Sequence, residues 1–124
     1  MGFRRSIDEA PLELSVPIQE FWLPDEWDNA ASISWLESGW KWDAENDSTR
    51  GGAIPCGTVI DERGGVKITA ERSIGYFQIN ACNYPDWNPG HFFNARQNAG
   101  TAHALWKERG WQPWYFSAVK LGLI

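Results

Sequence analysis

The sequence predicts an α+β fold, a mainly helical body with a small antiparallel β-hairpin at its edge. Three observations carry this. Trp27, Ala30, Ile33 and Leu36 recur at three-residue steps behind Pro24-Asp25-Glu26 and ahead of Gly39, the pattern of a helix with a buried stripe and two readable ends. Thr58-Val59-Ile60 and Val66-Lys67-Ile68-Thr69 flank Gly64-Gly65, as two strands joined by a tight turn do. Asn94, a good N-cap, opens a second helical stretch that runs to Arg109 and stops at Gly110, with Pro113 beyond it.

The remaining segments are read around these. Residues 1–22 form an arm expected to pack on the domain: Pro11 and Pro17 interrupt any helical period, and Leu12, Leu14, Val16 and Ile18 alternate as in a short extended piece. Residues 41–53 are polar and end in Gly51-Gly52, which reads as a loop. A short helical or extended tail follows Pro113. A chain of 124 residues holds one such core, so residues 23–124 are expected to form a single domain.

Composition narrows the function. The net charge of −5 supplies no basic footprint for nucleic acid or an anionic membrane. Met1-Gly2-Phe3-Arg4-Arg5 leads into Ser6-Ile7-Asp8-Glu9 and not into an apolar stretch, so no signal peptide is expected. Cys56 and Cys82 are compatible with one disulfide or with two reduced thiols. Nine Trp in so short a chain exceed what packing usually needs. Indole packs in a core and also stacks on the apolar faces of sugar rings, so the excess hints at a groove for a glycan.

One titratable group stands out. Glu37 falls four residues after Ile33 and seven after Ala30, on the same helical stripe. A carboxyl on an apolar stripe is partly desolvated, which favours its neutral form and suits it to donate a proton near neutral pH.

The text around Glu37 extends the reading. Glu37-Ser38-Gly39-Trp40 is followed by the hairpin, by Gly75-Tyr76-Phe77-Gln78-Ile79-Asn80, by Phe93-Asn94-Ala95-Arg96-Gln97-Asn98-Ala99 and by Trp111-Gln112-Pro113-Trp114. In this order, over residues 25–116, these segments resemble the lysozyme-like superfamily: animal lysozymes, soluble lytic transglycosylases, and small phage endolysins or virion-borne muramidases. Each motif is weak alone, and the four in order are specific. The resemblance implies a lysozyme-like fold and cleavage of the β-1,4 bond between N-acetylmuramic acid and N-acetylglucosamine in peptidoglycan strands, with Glu37 as general acid. It implies substrate contacts from Ser38, Ser73, Tyr76, Gln78, Asn80, Trp111 and Trp114, with Trp111 walling the sugar site and keeping water off Glu37. It further implies a monomer needing no cofactor and no metal, phage-encoded, held in the host cytoplasm until release or carried on the virion.

The second catalytic group is open. A retaining glycosidase places a second carboxylate about 5 to 5.5 Å from the first. Where animal lysozymes carry it, two places before the Gly of Gly-x-x-Gln-Ile-Asn, this chain has Ser73. Glu71, two residues earlier and on the same side of an extended strand, is the candidate, with a surface ion pair as its alternative role. Without it, a single acid suffices for lytic transglycosylation, in which the sugar's own C6 hydroxyl attacks. A third outcome is a non-catalytic glycan-binding or structural virion component. Other chemistries lack their residues: Asp43-x-Glu45-x-Asp47 begins like a calcium loop but has Ser48 and Ile54 where Gly and Glu are required. His91 and His103 fit no zinc-ligand spacing with either cysteine.

Overall fold

The structure, a computed structural model, describes residues 2–47, 58–60, 67–69, 72–84 and 86–124. The chain is α+β and mostly helical. Its helices are α1 (Leu12–Phe21), α2 (Trp27–Ser38), α3 (Ala95–Arg109) and α4 (Tyr115–Leu121); its strands are β1 (Glu45–Asp47), β2 (Thr58–Ile60), β3 (Lys67–Thr69), β4 (Arg72–Ile74) and β5 (Ile79–Asn80). None of the described helices is long and apolar enough to cross a membrane.

Two helices form where their end signals stand. A 3-10 turn over Pro24–Glu26 leads into α2, and Gly39 ends it in the left-handed conformation that glycine adopts without penalty. Asn94 caps α3 by accepting a hydrogen bond from the Gln97 amide at 3.1 Å, and Gly110 closes it.

The arm differs from expectation, since residues 12–21 are helix α1 with Pro17 inside it. An extended strand would put Leu12, Leu14, Val16 and Ile18 on one face. Instead Leu14 and Ile18 are fully buried while Leu12 and Val16 are 76% and 54% exposed, which is helical periodicity. Pro17 removes one helical hydrogen bond, but its ring lies on the buried face between Leu14 and Ile18, where α1 packs against α3. Tertiary burial outweighs the local breaker signal.

The β structure is also richer than one hairpin. β2 and β3 pair antiparallel as anticipated, with Val59 opposite Ile68. A separate antiparallel sheet orders its strands β1-β4-β5. Its outer strand β1 comes from the segment expected to be loop, because Glu-Asn-Asp has little strand preference of its own and is ordered by pairing along β4.

The core gathers Ile74, Ile79, Phe77 and Phe92 beneath the sheet and Leu14, Ile18, Ala30, Ile33, Ala99, Ala102 and Ala118 from the helices. Indoles fill its centre: Trp22 stacks on Trp111 at 6.1 Å and on Phe77 at 5.5 Å, and Trp111 meets Trp114 and Trp106. Much of the unusual Trp content is therefore core. Cys82 is disulfide-bonded, and Cys56 lies outside the described residues.

Candidate active site

The three-stranded sheet has two chemically different faces. In antiparallel strands, directly paired residues share a face. Ile74 pairs with Ile79, and both are buried in the core. One residue along, Asn46 pairs with Ser73 and Ser73 with Asn80, so these three form a polar row across all three strands on the opposite face. That row lines a groove of about 640 Å³, completed by Leu36 and Glu37 of α2, Leu105 and Arg109 of α3, and the Pro113–Phe116 segment that enters α4.

The turn joining β4 to β5 brings Gln78 into the same groove. Gln78 has φ +51, a conformation a non-glycine residue adopts only when held there. Its own side chain holds it: Nε2 donates to the carbonyls of Gly75 at 3.0 Å and Ala44 at 3.1 Å. The turn is anchored from below by Asn98, fully buried in α3. Asn98 Oδ1 accepts from the Phe77 amide, and its Nδ2 donates to the carbonyls of Ile74 and Phe92, each at 2.8 Å. Asn80 is oriented by accepting hydrogen bonds at Oδ1 from the amides of Arg72 and Cys82.

Glu37 occupies the last turn of α2, on the stripe of the fully buried Ala30 and Ile33. Its carboxyl is half-buried, and that desolvation holds its pKa above the ordinary carboxylate value. Two groups oppose the rise without cancelling it: the Ser117 hydroxyl, which donates to Oε2 at 2.5 Å, and the Lys120 charge one helical turn further along α4. Among the described residues Glu37 is the only carboxylate lining the groove and Arg109 the only cation. The nearby Glu45 carboxylate is engaged by Arg72 at 2.6 Å.

The expected site residues divide. Glu37, Ser73, Gln78, Asn80 and Trp114 all line the groove. Trp114 offers it ring surface and no donor, because its indole N–H is given to the Phe77 carbonyl at 2.8 Å. Trp111 does not line it: only 7% exposed, it stacks in the core against Trp22, behind Trp114. Tyr76 is buried and its hydroxyl donates to Glu13 of α1, pinning that helix to the turn. Ser38 is buried and its hydroxyl closes back on the Ser34 carbonyl at 2.9 Å. Glu71 lies outside the described residues.

Three groove residues, Asn46, Arg109 and Phe116, and Ser117 buried behind Glu37, had no signal in the sequence text. Asn46 is placed by a strand that its own composition does not announce, and Ser117 and Phe116 by a short helix eighty residues after Glu37. Arg109 read only as a basic residue at a helix end. Phe116 is 81% exposed on the groove's rim.

Comparison with family models, curated proteins and solved structures found no match for this chain.

Proposed function

We propose that this chain is a glycosidase of the lysozyme-like kind that cleaves the β-1,4 bond between N-acetylmuramic acid and N-acetylglucosamine in peptidoglycan, with Glu37 as general acid. The observation that carries the reading is the meeting in one groove of a half-buried carboxyl kept protonated above the usual range and a row of amide and hydroxyl side chains, Asn46, Ser73 and Asn80, across a sheet. The groove is amphipathic in cross-section, with polar sheet residues facing Leu36, Pro113, Trp114 and Phe116 from the helical side. A pyranose has the same character: polar equatorial edges and apolar C–H faces. The order of motifs from Glu37-Ser38 to Trp111–Trp114 supports the peptidoglycan assignment.

In this reading Glu37 gives its proton to the glycosidic oxygen as the C–O bond breaks, and an oxocarbenium-like sugar is left against the polar row. The Glu37 carboxylate then takes a proton from the attacking group. If water attacks, a reducing muramic acid end forms. If the sugar's C6 hydroxyl attacks, a 1,6-anhydro end forms and no water is consumed.

Mass spectrometry of purified cell walls after incubation with the protein tests the proposal and separates its two branches. Muropeptides with reducing or anhydro-muramic acid ends support it and name the reaction. Walls that bind the protein and release no glycan fragment overturn it in favour of a non-catalytic glycan-binding role.

A further inference from the structure

Ser117 sits in the first turn of α4, 5% exposed, and its hydroxyl makes one hydrogen bond among the described residues, to Oε2 of Glu37. The bond joins the end of α2 to the start of α4 across eighty residues of chain. A carboxylic acid has two oxygens but one proton. An acid that holds this proton on the wrong oxygen, turned into the protein, cannot deliver it to a substrate.

We propose that Ser117 is a positioning residue that decides which oxygen of Glu37 carries the transferable proton: by donating to Oε2 it makes Oε2 the acceptor and leaves the proton on Oε1. The inference rests on Glu37 being the general acid. Two arguments favour this direction over the reverse, in which Glu37 would donate to Ser117 Oγ. When Glu37 is ionised it only accepts, so Ser117 must donate; keeping the same O–H orientation in the protonated state requires no reorganisation during turnover. In the reverse arrangement the Ser117 hydrogen would need another acceptor in a buried position, and none is found among the described residues.

The surrounding charges do not supply this selection. Lys120 lies further along α4 and acts on Glu37 through space, and Arg109 lines the groove from the end of α3. On the sheet side Glu45 and Arg72 are engaged with each other. Among the described residues, Ser117 alone hydrogen-bonds one specific oxygen of Glu37.

The first of two tests requires no substrate. In protein labelled with ¹³C at the glutamate side-chain carboxyl, the Glu37 signal, assigned by its loss in E37Q, is titrated in wild type, S117A and S117C. Alanine removes the donor, and cysteine keeps a side chain of similar shape with only a weak donor. Because the hydroxyl stabilises the carboxylate, both variants should titrate higher, S117A by about one pH unit. With cell walls as substrate, S117A should lose roughly tenfold in kcat with little change in KM, and its alkaline limb should move up with the titration. Glu37 titrating at the same pH in folded wild type, S117A and S117C overturns the proposal, as does a loss confined to KM. If E37Q instead clears walls normally, the glycosidase reading fails while the Ser117–Glu37 coupling is still decided by the titration.

Discussion

Asn98 occupies the space in which a side chain on Gly75 would begin. A Cβ on Gly75 would stand 2.4 Å from Asn98 Nδ2 and 2.5 Å from the Phe92 carbonyl oxygen, and Gly75 itself has φ +77. The turn that carries Gln78 into the groove therefore exists because position 75 has no side chain and position 98 has an amide. Gly75→Ala should destabilise the protein by about 3 kcal/mol or more, combining a strained backbone with overpacking, as read by urea unfolding.

Replacing Asn98 tests the same joint from the other side. Asn98→Ala leaves the Phe77 amide and the Ile74 and Phe92 carbonyls without their partner. Each buried group left unpaired costs about 1–3 kcal/mol, so for three groups a total loss of about 3 kcal/mol or more is expected, seen as a large fall in melting temperature. Asn98→Asp should be no better, because it keeps the acceptor but loses both donated bonds.

Trp111 and Phe116 should respond in opposite ways. Trp111 is core, so Trp111→Ala should cost about 3–5 kcal/mol of stability. Phe116, 81% exposed on the rim, should leave stability within about 0.5 kcal/mol when changed to Ala. On the proposed function, that same change should weaken binding of N-acetylglucosamine oligomers by about 1 kcal/mol, measurable by calorimetry in an E37Q background. Full stability in the Trp111 variant would contradict its placement.

The raised pKa of Glu37 has a thermodynamic signature. A carboxyl whose folded pKa lies above the unfolded value near 4.5 binds its proton more tightly when folded. Its contribution is present below 4.5 and is lost as pH rises from 4.5 through the folded pKa. Glu37→Gln does not titrate there, so the stability of E37Q relative to wild type should grow more favourable from about pH 4 to about pH 7. Parallel melting curves across that range check the sign; a difference that moves the other way would show that Glu37 is stabilised as a carboxylate.

The fold was readable where local signals and tertiary packing agree. Asn94 and Gly110 bound α3, and Pro24 and Gly39 bracket α2, because capping chemistry lies in the sequence itself. It was misread where packing overrides local preference: α1 forms through Pro17 because Leu14 and Ile18 are buried against α3, and β1 forms from Glu45-Asn46-Asp47 because β4 pairs with it. The site divides on the same line. The burial of Glu37 followed from its helical stripe. Asn46 and Ser117 did not follow from anything nearby, since cross-strand register and an inter-helix contact place them. The resemblance put Trp111 at the sugar site, whereas packing makes Trp111 the core indole and Trp114 the groove indole.

The central claim is that Glu37 supplies the proton that breaks a glycan strand. The most direct measurement is turbidity clearing of purified cell walls by wild type and by Glu37→Gln, which keeps the shape of the side chain and an acceptor for Ser117 but has no proton to give. With both proteins folded, the account predicts that wild type clears the walls and E37Q is slower by about two to four orders of magnitude. Equal clearing by the two, or none by wild type, would contradict it.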